Sequence, residues 1–144
     1  SPKTWSKLFE YTHVIETGGM KGKGPELTRP EIHQILCKGL HQESIFSEYG
    51  MTELTSQAYS HGNGIFSCPP WMKILIQDPA DFRTFLPSHK TGRICVIDLM
   101  NYHSCSFIAT DDLGKVFDDG TFEIVGRIDH SDIRGCNQLV FSAP

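Results

Sequence analysis

The chain contains no apolar run approaching the roughly 20 residues that a membrane-crossing helix needs. It also lacks a charged-then-apolar N-terminal segment with a small-residue cleavage site, so no secretory signal is read. Positive charge is not in excess. Thirteen Lys and Arg stand against 17 Asp and Glu, a formal net charge of −4, which argues against a nucleic-acid phosphate partner. No C-x-x-C pair occurs. Cys37, Cys68, Cys95, Cys105 and Cys136 are odd in number and read as reduced cytosolic thiols rather than a disulfide framework. A structural zinc site is disfavoured too, because His103 and Cys105 stand two apart with no second close-spaced pair to join them. The phosphate-loop pattern G-x-x-x-x-G-K-[ST] is absent; its nearest approach, residues 18–25, has Gly24 after Lys23. No repeat, linker or low-complexity tract appears. The expectation is a cytoplasmic protein without a membrane span or a nucleic-acid partner.

What is present suits one domain or a piece of a larger one: 144 residues, 39% hydrophobic and 21% charged. Residues 1–11 hold Trp5, Leu8, Phe9 and Tyr11 and read as a short amphipathic helix or the tail of a longer one. Thr12 to Thr17 is β-branched enough for a strand, which Gly18-Gly19 stops. The glycine-rich loop that follows reads either as a flexible turn or as backbone packed against a flat ligand. Thr28 then caps a helix, with Glu31 completing a capping box, and Ile32, Ile35, Leu36 and Leu40 form a stripe expected to face the core. A second strand at Ile45-Phe46-Ser47 makes residues 1–60 a βαβ-like unit. It delivers Tyr49 to Glu53 just past a strand's C-terminal end, where open α/β sheets place ligands.

After residue 60 the texture becomes β-rich. His61-Gly62-Asn63-Gly64 and Cys68-Pro69-Pro70 read as turns. Strands are expected at residues 71–76, 93–99 and 106–109, and at 115–117 and 121–125 around Asp118-Asp119-Gly120, a strong hairpin signal. The fold class is therefore α/β (α+β): a βα unit, then a β meander or partial barrel.

The stretch that carries chemistry is Tyr49-Gly50-Met51-Thr52-Glu53. An aromatic face stacks on a base, a glycine admits close backbone approach, and a hydroxyl donates to phosphate oxygen. A carboxylate is a hard oxygen ligand for Mg²⁺, which sits on one or two carboxylates plus phosphate. These are the groups that hold a nucleotide monophosphate.

Further on, Thr110-Asp111-Asp112-Leu113-Gly114 reads as the end of a strand. After the hairpin come Gly126-Arg127-Ile128-Asp129 and Ile133-Arg134-Gly135-Cys136. Taken in order with the Y-G-M-T-E string, these motifs resemble the adenylate-forming superfamily of acyl-CoA synthetases, nonribosomal adenylation domains and firefly luciferase. Gly18-Gly19-Met20-Lys21 and Arg134-Gly135-Cys136 make the chain most similar to the acyl-protein synthetase (LuxE-type) branch, with phenylacetate–CoA ligases also close. The resemblance implies that 1–144 is a fragment, the latter part of an adenylate-forming large domain ending at its hinge, and inactive alone. It implies ATP or AMP and Mg²⁺ as cofactors. Gly18 and Gly19 would line the purine and Tyr49 would stack on it, with Gly50 and Met51 in the same string. Thr52 would meet the α-phosphate, Glu53 would ligate Mg²⁺ and Asp112 would accept from both ribose hydroxyls. Arg127 would contact the ribose and phosphate side, and Asp129 would be the hinge. The adjacent Asp111 is the alternative to Asp112, which is favoured by its spacing from Thr110. The implied reaction activates a carboxylic acid, a long-chain fatty acid in this branch, as acyl-AMP. The acyl group then passes to a thiol, with Cys136 a candidate, and on to an acceptor protein such as a reductase. An aryl-CoA ligase and a non-catalytic AMP-binding module are the alternatives, and an oligomer is possible.

Overall fold

The computed structural model of the chain describes residues 12–18 and 27–128. The sequence-level helix over 1–11 lies outside them. Eight strands form one sheet: β1 (Ile15–Glu16), β2 (Phe46–Tyr49), β3 (Ala58–Ser60), β4 (Ile65–Ser67), β5 (Met72–Gln77), β6 (Gly92–Asp98), β7 (Phe107–Val116) and β8 (Phe122–Arg127). Their spatial order is β1-β2-β3-β4-β8-β7-β6-β5. Among the described residues only β1 and β2 pair in parallel, and the helix α1 (Arg29–Leu40) lies between them in the chain, so the βαβ unit is present. Every other ladder is antiparallel.

Helix α1 starts as its sequence dictates. Thr28 is extended, and its N–H and hydroxyl both donate to Glu31 Oε2, at 2.7 and 2.8 Å. Pro30 falls in the first turn, where no N–H is needed. The expected apolar stripe lies on the covered face except at Ile35: Ile32, Leu36 and Leu40 are half-buried beside His33. Ile35 is 57% exposed, and His33 is the one buried helical residue. His33 adds a polar contact to this face: its Nε2 lies 3.0 Å from Ser47 Oγ and 3.4 Å from Glu16 Oε1, on β2 and β1.

The β-rich half follows its alternation. Strand β6 is buried at Ile94, Val96 and Asp98 and only partly covered between them, the period of a strand with one covered face. Phe66 and Phe122 are cross-strand partners on β4 and β8, stacked with centroids 5.3 Å apart. With Tyr49, Leu54, Met72, Ile74, Ile76, Ile94 and Val96 they make one core. The Asp118–Gly120 hairpin forms, with Gly120 at φ +83°, a left-handed value a glycine adopts without penalty.

Two expectations change. Residues 106–109 and 115–117 are not separate strands, since β7 runs unbroken through Thr110–Gly114. Its two aspartates are accommodated because neighbours along a strand face opposite ways. Asp111 lies 3.7 Å from Arg93, whereas Asp112 meets Tyr49 and Arg127. The three-residue strands β3 and β4, which flank the turn at residues 61–64, are too short to show in the apolar pattern. Among the described residues no helix is long and apolar enough to cross a membrane.

Candidate functional site

Tyr49 ends β2, Asp112 lies inside β7, and Arg127 ends β8 opposite it in register. The Tyr49 hydroxyl donates to Asp112 Oδ2 at 3.0 Å, and Arg127 Nε lies 3.3 Å from Oδ1. Each carboxylate oxygen thus has one partner and keeps a lone pair for another donor. In sheet order β2 and β7 are four spacings apart, roughly 19 Å if the sheet were flat. The 3.0 Å bond means that the sheet curls until these strands face each other. Sequence motifs 63 residues apart therefore meet in one place.

Tyr49 is held hard. Phe66 and Phe122 set their rings edge-on to it at 6.2 and 5.5 Å, and 7% of the residue is exposed. Burial pushes its hydroxyl far above the ordinary phenol range, with the Asp112 charge and hydrogen bond adding to the rise. It is a neutral donor at any physiological pH. The expectation of a free face for base stacking is not met in this conformation, because the ring is committed to the core and reaches the site through its hydroxyl.

The turn after Tyr49 points outward. Leu54 N–H donates to Met51 C=O at 3.0 Å, which puts Thr52 and Glu53 at the exposed corners, while Leu54 and Met51 pack on the core. Gly50 keeps the chain close to Gln57, whose Cγ would be 3.0 Å from an added Cβ. Glu53 offers a solvent-facing carboxylate. Among the described residues no group of three or more His, Cys, Asp and Glu could hold a metal. The one carboxylate fits Mg²⁺ only as an ion that phosphate oxygens and water also ligate, the usual mode for that ion.

Gly18 is fixed by the helix-docking cluster. Its N–H donates to Glu16 Oε2 at 2.6 Å, and Arg29 Nε lies 3.1 Å from Glu16 Oε1. Burial opposes the charge on Glu16, yet Ser47, Arg29, Gly18 and His33 together hold its carboxyl below the usual range. Gly19, Asp129 and Cys136 lie outside the described residues.

Sequence reasoning missed the groups beneath the turn. Asp98 has no exposed surface, and it accepts from Thr55 N–H and Ser56 N–H at 3.0 and 2.8 Å and from Ser56 Oγ and Met100 N–H at 2.8 and 3.1 Å. Burial raises its pKa, but those four donors outweigh it and hold the carboxyl below its ordinary range. Asn101 donates to Glu53 C=O at 2.6 Å and to Cys105 C=O at 2.8 Å. Its own oxygen accepts from Thr55 and Ser104 hydroxyls at 3.0 and 2.8 Å. The signal was available: Asp98 shares the inward parity of Ile94 and Val96, and a carboxylate on the core face of a strand requires dedicated donors.

Among solved structures the chain is similar to ATP-bound MatB from Rhodopseudomonas palustris, with 18% identity and a TM-score of 0.56 over 88% of this chain and 33% of that one. It is also similar to the O-succinylbenzoate CoA synthetase MenE of Bacillus subtilis in complex with AMP, with 20% identity and a TM-score of 0.51 over 90% and 30%. A luciferase-like enzyme of the mealworm Zophobas morio gives 18% identity and a TM-score of 0.52 over 73% and 30%. The chain shares the fold of part of these proteins. The chain spans about a third of the length of the solved relatives it matches. No protein-family model and no curated protein sequence matches it.

Proposed function

We propose that this chain is the nucleotide-holding portion of an ATP-dependent acid–thiol ligase. The observation that carries this reading is the meeting of Tyr49, Asp112 and Arg127 at one place on this fold, directly before the exposed Thr52–Glu53 turn. Asp112 has the spare lone pairs to accept from two ribose hydroxyls, and Tyr49 holds it in position. On the family resemblance, Gly18 and Gly19 would line the purine. Thr52 would donate to the α-phosphate, and Glu53 would help hold Mg²⁺, whose charge would offset the repulsion between two anions. Arg127, its side chain 77% exposed, is free to turn toward the phosphate as well.

In the reaction so assigned, a carboxylate oxygen bonds to the α-phosphorus of ATP as the bond to pyrophosphate breaks. A thiol then attacks the acyl carbon and AMP leaves. The acid we assign is a long-chain fatty acid and the acceptor a thiol, Cys136 first and then a partner protein, on the strength of the resemblance of the ordered motifs to acyl-protein synthetases. The deciding experiment is carboxylate-dependent ATP–pyrophosphate exchange on the intact protein, with fatty and aryl acids screened together. Exchange with fatty acids is expected. Exchange confined to aryl acids would replace the acyl-protein reading with a phenylacetate–CoA ligase type. AMP binding without exchange would leave a non-catalytic nucleotide module. A Cys136→Ser protein that still formed a labelled acyl-thioester would remove that cysteine from the scheme.

A further inference from the structure

We propose that Asp98 and Asn101 are positioning residues, which hold the Thr52–Glu53 turn in the geometry that phosphate and its ion require. This deepens the nucleotide reading above and rests on it. The turn itself has a single internal backbone bond, Leu54 N–H to Met51 C=O, and its corner residues are exposed. Nothing within it fixes where the corners point. What fixes them lies at the base, on a different element 42 to 48 residues further along the chain. Asn101 grips the Glu53 carbonyl at 2.6 Å, and it uses both amide hydrogens and accepts two hydroxyl donors. Asp98 takes the next two backbone N–H groups, those of Thr55 and Ser56. Trp71 Nε1 in turn donates to Ser56 Oγ at 2.9 Å, so the base of the turn is tied to β6 and to the corner before β5.

The position of Asp98 argues for a purpose beyond filling the core. It follows Ile94 and Val96 on the covered face, where an apolar side chain would suit burial. A fully buried carboxylate there is sustained only by donors, and all four come from residues 55, 56 and 100. Buried hydrogen-bond networks whose members are all satisfied rigidify what they hold. Small displacements of positioning groups are expensive to a site that must align a phosphate.

The test uses the whole chain and ligands that do or do not reach the turn. Asn101→Asp replaces both donors with acceptors facing the Glu53 and Cys105 carbonyls. Asp98→Asn places an NH₂ among N–H groups. Asn101→Ala is the milder variant should either fail to fold. Binding of adenosine, of ATP with Mg²⁺, and amide hydrogen exchange over residues 51–56 are measured for each. Expected is a loss of about tenfold in affinity for ATP with Mg²⁺, adenosine affinity within about twofold, and faster exchange across the turn. Parallel losses for both ligands would overturn the inference and leave Asp98 and Asn101 as ordinary structural residues. Unchanged ATP affinity, or unchanged exchange, would overturn it as well. A wild-type protein that bound neither ligand would instead overturn the nucleotide reading itself, a different result from variants that keep wild-type affinity.

Discussion

Asp112 sits between a neutral phenol and a guanidinium, and the two contacts differ in kind. The Tyr49 bond is part-buried and fixed by the packed ring, whereas the Arg127 side chain is 77% exposed and its ion pair contributes little by itself. Removing the acceptor is therefore expected to matter more than removing the orienting group. Asp112→Ala should lower AMP affinity by about tenfold or more, the scale of hydrogen bonds to a charged group. Tyr49→Phe, which keeps the ring and its contacts, should lower it by only about threefold to tenfold on the scale of one bond. Calorimetric titration of the two variants checks the order, and an Asp112→Ala protein with wild-type affinity would remove Asp112 from the site. At this scale the motifs were legible because Tyr49, Thr52, Glu53, Asp112 and Arg127 are chemically conspicuous side chains in recognisable strings. Asp98 and Asn101 were not, because Arg93 to Leu99 read as an apolar strand and Asn101 belongs to no string. Their hold on the turn is made with partners more than forty residues away.

Elements were legible where a local rule governs them. The Thr28–Glu31 box set the start of α1, and its two short bonds are present. Thr28→Ala is expected to destabilise the protein by about 1 kcal/mol, with Thr28→Ser close to neutral, as chemical denaturation would show. The stripe on α1 was legible at Ile32, Leu36 and Leu40, but helical periodicity gives a face and not what the face meets. Here Glu16 and Ser47 meet His33. Strand β7 misled because two aspartates in mid-strand break the apolar pattern, although each has a partner on its own side of the sheet. Within β7, Gly114 lies where the ladder to β8 shifts register, and a Cβ there would run into the Glu123 carbonyl and the Ile94 side chain. Gly114→Ala should destabilise by about 1–3 kcal/mol, as overpacking does. Loss of thermal stability without loss of nucleotide specificity would place the effect in this ladder, and an unchanged Tm would contradict the close approach.

For the whole molecule, the Tyr49–Asp112 bond is both a site contact and the tie between strands that lie far apart in the sheet order, so stability and site geometry share one proton. Fold class was legible from the alternation of elements, but this closure was not, since it depends on how far the sheet curls. The sign of its pH dependence follows from the direction of the Tyr49 shift. Below about pH 10 the phenol is protonated in both folded and unfolded chains and the tie is intact. Above it the unfolded chain releases this proton first, so it binds fewer protons than the native state and stability falls as pH rises toward the raised folded value. Tyr49→Phe removes this term but leaves that of Cys68, whose thiol burial pushes up to about 11. Unfolding free energies measured from pH 8 to pH 11.5 should therefore decline more steeply for the wild type than for Tyr49→Phe, the two curves converging as the pH rises. Parallel curves would mean that the phenol is not protected by the core and that the sheet closes without it. Convergence would show that the hydroxyl which orients Asp112 also holds β2 against β7.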